Sequence, residues 1–397
     1  MPFAILAMAL GAFAIGLTEF AVMGLLPQIA GETAVSIPVA GNLITAYAIG
    51  VVVGAPLLTA AAVRLSRRTM LVLFMALFAA GNALAAVAPS FGVLVAARFL
   101  SGLPHGAFFG VASLVAASLV PPHRRASAIA SMVLGLTVAN LVGVPAAALL
   151  GGLAGWRLAF VVIAALALLC VAGVLVFVPR GRVEVAPGLR AELAVLRSPA
   201  VLLVLGVVAV GTGGLFAFYS YIAPMMIELT GYGAGAIPAL LAVFGLGMTV
   251  GTVLGGRLAD RFDHRKLLVV LLGGQTALLV AAVPAVRSPV LAPIVIFGVG
   301  VLGLALIPAV QSVVMDAASA APALASAAIQ SGFNTANALG AALGGMVIAA
   351  GFGLAAPAAV GAVLAALGMG LALLMLRHSR RASAATPARP EAVTAAG

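Results

Sequence analysis

An all-helical membrane protein is the fold that this sequence predicts, and three observations predict it. Of 397 residues, 64% are hydrophobic and only 7% are charged, and the mean hydropathy is +1.29. A soluble domain carries about 25% charged residues, so this chain cannot cover itself in water. Its apolar residues run in stretches of the length that crosses a bilayer as a helix, and they are apolar on every face. A barrel would show short strands alternating between apolar and polar instead. Finally, 47 glycines and abundant alanine favour the close backbone contacts by which helices pack in lipid.

Breaks at glycine, proline and charge divide the chain into twelve candidate spans. The first six cover 3–26, 39–62, 69–88, 92–118, 126–150 and 157–178. The second six cover 200–225, 235–256, 267–286, 290–314, 325–350 and 354–376. This organisation reads as an N-terminal six-helix bundle over 1–178, a polar linker over 179–199, and a C-terminal bundle over 200–376. The tail over 377–397, rich in Ala, Ser, Pro and Arg, is expected to be disordered. The first run is long enough to span and lacks a basic leader, so it is expected to be a helix and not a cleaved signal.

A net charge of +11 raises the question of nucleic acid, but its distribution argues against that partner. Of 20 Lys and Arg, 17 fall in a few segments: Arg64, Arg67 and Arg68; Arg124 and Arg125; Arg180 to Arg197; Arg257 to Lys266; and Arg377 to Arg389. Only Arg98, Arg157 and Arg287 lie elsewhere. Cations concentrated in alternate loops mark the cytoplasmic side, which places those loops and both termini in the cytoplasm. Cys170 is the single cysteine, so no intrachain disulfide forms. No HExxH, CxxC or carboxylate cluster occurs, and neither a metal nor an organic cofactor is expected.

An offset of 197 residues relates the two halves. It pairs Gly16 with Gly213, Pro27 with Pro224, Gly50 with Gly247, Gly54 with Gly251, Arg64 with Arg261, Asn140 with Asn337 and Gly143 with Gly340. A duplicated six-helix unit with its solute site between the halves is one architecture of secondary transporters.

Short motifs narrow this further. GGRLADRFDHRK, between the eighth and ninth spans, resembles the cytoplasmic loop signature of the major facilitator superfamily at Gly256, Leu258, Asp260, Arg261, Arg265 and Lys266. Gly256 is expected to permit close helix approach, and Asp260 to cap a helix and pair with an arginine as a conformational latch. The first-half counterpart, TAAAVRLSRR, has Val63 where the aspartate belongs. RFLSGLPHG resembles the superfamily's Arg-x-x-x-Gly signature at Arg98 and Gly102. GLTVANLVGVPAAALLGG resembles the proline-kinked antiporter signature, with Gly143 and Pro145 at the bend, although Val144 separates the usual Gly-Pro pair. Together with TEFAVMGLLPQIA and SGLPHGAFFGV, these segments resemble the drug:proton antiporter branch, in particular its arabinose-efflux-permease-like members.

Candidate site residues follow from charge and polarity inside the spans. An ionised group at the bilayer centre costs roughly 3 kcal/mol or more, and such groups mark function or pairing. Glu19 and Arg98 lie at a similar depth by helical rise. They read either as a structural salt bridge or as a proton site in which Arg98 governs the carboxylate. His105, two turns beyond Arg98, can relay protons, bind solute, or hydrogen-bond across a helix contact. Tyr47, Asn140, Phe216, Tyr219, Gln311, Gln330, Asn334 and Asn337 are candidates to line a solute cavity. Asp316 is expected at a helix end or gate. Glu32 and Glu228 are expected to be solvated in outer loops.

The expected function is proton-coupled efflux of a small neutral or weakly cationic organic solute by alternating access. The partners are the solute, protons and lipid, with no nucleic acid, and the chain is expected to act as a monomer in the bacterial inner membrane. Proton-coupled uptake is the alternative. A channel would need a continuous polar stripe or filter repeat, and an enzyme would need clustered catalytic groups; neither is evident.

Overall fold

The computed structural model describes residues 2–61, 65–180, 199–317 and 322–385, and among these every regular element is helical. Twelve helical segments are named here in chain order. They are α1 (Pro2–Glu32), α2 (Asn42–Ala61), α3 (Arg67–Ala86), and α4 in two pieces, Phe91–Gly102 and Pro104–Ser118. Next come α5 (Arg125–Val138, continued by Val144–Ala154) and α6 (Trp156–Phe177). The second half begins with α7 in pieces (Pro199–Gly206, Gly213–Ser220 and Ile222–Glu228), then α8 (Ile237–Ala259) and α9 (His264–Ala285). It ends with α10 (Leu291–Ala317), α11 (Pro322–Ala349) and α12 (Ala356–Ala385).

Eleven of these segments are long and apolar enough to cross a bilayer. The remaining one, α11, has the length but carries Gln330, Ser331, Asn334, Thr335 and Asn337 within three turns. Its polarity is the first structural hint of a site. The linker residues 181–198 lie outside the described residues, as do Val63 and Arg64. α12 continues to Ala385, past the Arg377 at which the sequence suggested a disordered tail.

Side chains cap the helices where the sequence offers them. Ser66 Oγ accepts from Thr69 N–H at 3.2 Å at the start of α3, and Ser90 Oγ from Val93 N–H at 3.4 Å at the start of α4. Each satisfies an amide that the first turn leaves open. At the cytoplasmic ends of α3 and α6, an Arg68 Nη2 donor meets the Leu175 carbonyl, a favourable position for a cation. Gly155, between α5 and α6, has φ +84°, a left-handed turn that glycine adopts without strain.

The 197-residue repeat is built into the packing. A β-carbon at Gly50 or Gly54 would strike the α4 backbone at Phe99 or Leu103. One at Gly247 or Gly251 would strike the α10 backbone at Phe297 or Val301, the same relationship within one residue. Likewise Gly143 packs on Phe13 and Leu17 of α1, while Gly340 packs on the Gly213–Ala217 turn of α7. The repeated glycines are therefore contact points between backbones, which explains why the offset preserves them.

Two expectations about the loop motif change. Nothing lies within 4 Å of a β-carbon at Gly256; the close approach to α10 belongs to Gly255, which meets Ala305. Successive helical residues point about 100° apart, so the neighbouring glycine faces the partner. Asp260 sits one residue past α8 with its side chain exposed and in no ion pair among the described residues. The cap is Asp263 instead, whose Oδ1 accepts from Lys266 N–H at 2.9 Å. Arg261 and Lys266 are exposed and Arg265 is half-buried, so the expected latch is not engaged in this state.

The kink in α5 is present, as a wide turn over Ala139–Gly143 directly before Pro145. Proline removes one N–H from the ladder, and the i→i+5 turn absorbs the displaced carbonyls. A second wide turn, Val207–Gly211, interrupts α7.

Candidate functional site

Polar groups inside the bilayer concentrate where α1, α2 and α4 of the first half face α7 and α11 of the second. Glu19 is buried (5% exposed) on α1, and Arg98 and His105 are fully buried on the two pieces of α4. Glu19 lies within electrostatic reach of Arg98 and Tyr47 on one side and of Tyr219 on the other. The Asn337 amide of α11 also faces the carboxyl, but neither amide atom closes a hydrogen bond of ordinary geometry.

The structural salt bridge considered for Glu19 and Arg98 is not formed. Arg98 is held elsewhere: Nη1 donates to Thr18 Oγ1 at 3.1 Å and Nε to the Leu43 carbonyl at 3.4 Å. Its guanidinium lies 4.3 Å above the Tyr47 ring, a cation–π contact strengthened by burial. Thr18 in turn donates to Asn82 Oδ1 at 2.5 Å. Asn82 Nδ2 donates to the Phe78 carbonyl at 2.9 Å, which fixes the orientation of that amide. Arg98 Nη2 is buried without a partner. The residue next to Glu19 thus engages the cation and leaves the carboxyl facing the other half. Thr18 and Asn82 are absent from the sequence candidates; the signal available was a buried asparagine in an otherwise apolar third span.

His105 joins the halves. Its Nδ1 lies 3.0 Å from Tyr47 Oη and its Nε2 lies 3.0 Å from Gln330 Nε2. Gln330 also accepts from Asn334 Nδ2 through its carbonyl at 3.2 Å. Tyr47, His105, Gln330, Asn334 and Asn337 therefore form one neighbourhood, with Asn334 Oδ1 buried and unpartnered.

Aromatic rings fill the space between the halves beside Glu19. Phe20 of α1 lies parallel to Phe216 of α7, with 6.5 Å between centroids, and 5.8 Å from Tyr219. Tyr219 stacks on Phe244 of α8 at 3.9 Å. Asn140, 7% exposed on the wide turn of α5, donates to the Leu136 carbonyl at 3.1 Å and keeps a buried, unpartnered Oδ1. Gln311 does not join the cluster: it is exposed on α10. The side chain of Asp316 lies outside the described residues.

The outer end, opposite the arginine-rich loops, is closed between the halves. Tyr221 Oη donates to the Ala341 carbonyl at 2.7 Å and is flanked by Gly41 of the first half and Gly345 of the second. Glu32 is not simply solvated there. It accepts from Trp156 Nε1 at 2.5 Å and pairs with Arg157, tying the end of α1 to the start of α6. No group of His, Cys, Asp and Glu with metal-binding arrangement occurs among the described residues.

Comparison with known proteins agrees with this architecture. The family model described as Major Facilitator Superfamily matches residues 8–326 and again 237–396. The chain is 44% identical over 378 residues to the inner membrane transport protein YdhP of Escherichia coli (strain K12), covering 95% of this chain and 96% of that protein. It is 37% identical over 360 residues to a chloramphenicol resistance protein of Streptomyces lividans, covering 89% and 90%. The crystal structure of a bacterial homologue of the human lysosomal transporter Spinster, inward-facing and unoccupied, superposes with a TM-score of 0.73. That likeness covers 96% of this chain and 98% of the other at 17% identity, and it concerns the fold. A duplicated helical bundle with a polar site between its halves, matched along nearly its whole length, makes this chain a member of the major facilitator superfamily of membrane transporters.

Proposed function

We propose that the chain is a multi-pass inner-membrane exporter that moves a small neutral or weakly cationic organic solute out of the cytoplasm in exchange for protons. One observation carries the proton part: Glu19 is buried at the boundary between the halves, without an ion pair, while the nearby Arg98 is engaged by Thr18 and Tyr47. An unpaired ionised carboxylate is costly in such a place, so the group suits proton exchange better than a fixed charge. In the proposed cycle Glu19 takes a proton in the outward-facing form. It releases it in the inward-facing form as solute binds, with Arg98 stabilising the anion. The Tyr47–His105–Gln330 chain couples the same event to the contact between the halves. The cavity offers amides and aromatic rings and few charges, which fits a neutral or weakly cationic solute. The similarity to an inner membrane transport protein and to a chloramphenicol resistance protein supports export.

The test is solute-dependent proton movement in proteoliposomes, read by a pH-sensitive dye under an imposed gradient. Solute-driven proton flux should be present in the wild type and absent in Glu19→Gln. Flux that survives unchanged in that variant overturns the proton assignment. Proton and solute moving in the same direction would establish uptake instead.

A further inference from the structure

The aromatic rings between the halves form a continuous column, and proton exchange at Glu19 makes no use of it. Phe20 is contributed by the first half, and Phe216, Tyr219 and Phe244 by the second; all four are at most 6% exposed. Phe20 and Phe216 are parallel to within 1°, and Tyr219 and Phe244 to within 14°. Any solute that passes between the halves must part Phe20 from Phe216 and Tyr219, because these contacts bridge the boundary. Parting them exposes flat, apolar ring faces on both sides.

Resting on the solute-transport reading above, we propose that the site takes a neutral, planar aromatic molecule with one or two hydrogen-bonding substituents. Its ring replaces the contacts that Phe20 makes with Phe216 and Tyr219, and its substituent meets the Asn337 amide. A flat ring restores the lost contact face for face, with the offset or tilted geometry that aromatic pairs prefer. A sugar fits poorly: its pucker keeps the two ring faces apart, and its many hydroxyls each need a partner. The polar atoms left without partners beside the column are few: both amide atoms of Asn337 and Oδ1 of Asn334. They match a small polar substituent, not a polyol.

Equilibrium dialysis of the purified full-length chain in detergent tests this without any proton gradient. The probes are radiolabelled chloramphenicol, a neutral nitroaromatic, and radiolabelled lactose, a non-aromatic polyol. Saturable binding of chloramphenicol and none of lactose is expected. Phe20→Leu and Tyr219→Leu should each weaken chloramphenicol binding about tenfold, the scale of one lost aromatic contact with its burial. Phe352→Leu, at a position 75% exposed, should bind as the wild type does. Elution profile and helical content establish that each variant is folded. The proposal is overturned if folded protein does not bind chloramphenicol saturably, if it binds lactose as well or better, or if both column variants bind chloramphenicol unchanged. Loss of proton coupling with intact aromatic binding would overturn the Glu19 assignment and leave this one standing.

Discussion

The His105 imidazole of α4 and the Gln330 amide of α11 meet at 3.0 Å across the boundary between the halves, 225 residues apart in sequence. With Gln330 Nε2 as the donor, His105 Nε2 accepts, so the ring proton sits on Nδ1 and points to Tyr47 Oη. Alternating access requires the halves to separate at one end while they close at the other, so a bond across them weights that equilibrium. A single neutral hydrogen bond contributes about 1 kcal/mol.

Removing it should shift the balance between access states. In a Cys170→Ser background with a reporter Ala40→Cys, buried at the closed outer end, an impermeant maleimide reacts only when that end opens. Gln330→Ala should raise the labelling rate about fivefold, the equivalent of about 1 kcal/mol. An unchanged rate would mean that the bond does not weight the equilibrium.

The outer closure itself should be sensitive to bulk at Gly345. A β-carbon there comes to 2.5 Å from Tyr221 Oη, so Gly345→Val is expected to wedge the closure open and raise the same labelling more strongly than Gly345→Ala. Gly152→Val, where nothing lies within 4 Å, should leave it unchanged. Equal rates in all three variants would dissociate Tyr221 from closure.

Between the adjacent glycines of the cytoplasmic loop motif, stability should depend on one alone. A β-carbon at Gly255 comes to 2.6 Å from the Ala305 Cα, backbone that cannot move aside, so Gly255→Ala should cost about 1–3 kcal/mol, as overpacking does. Gly256→Ala should be neutral in thermal unfolding in detergent, although any effect on transport rate is a separate measurement. A greater loss of stability at Gly256 would reverse the packing assignment.

Trp156 reports on the link between α1 and α6, since it is the only tryptophan. Glu32→Ala removes the acceptor of its indole N–H and the partner of Arg157. Its emission should shift, while stability changes by less than about 1 kcal/mol, because the ion pair is half exposed and screened. An unaltered spectrum would show that the indole does not depend on Glu32.

The fold was legible because hydropathy, loop cations and the 197-residue offset depend on composition and order along the chain. Glu19, Arg98 and His105 were likewise legible as exceptions in apolar runs. What escaped depended on helical phase and long-range pairing. Gly255 and Gly256 differ by one residue and therefore by which side of α8 they occupy; the motif pointed to the wrong one. Gln311 looked interior because its span is apolar, yet it lies on the exposed side of α10. The Glu32 link to Trp156 spans 124 residues, and no local pattern announces it. The Arg98–Thr18–Asn82 chain was hidden because threonine and asparagine carry no charge to draw notice.

Pro104 divides α4 between its two functional side chains. It has no N–H to give the Leu100 carbonyl, and the helix is interrupted at Leu103 before continuing from Pro104 to Ser118. Arg98 is mounted on the outer piece, packed against α2 at Gly50, and His105 on the inner piece that touches α11. Bending there takes less energy than in an unbroken helix. The span therefore acts as two levers on one pivot: the outer lever can hold the cation beside Glu19 while the inner one lets go of the opposite half.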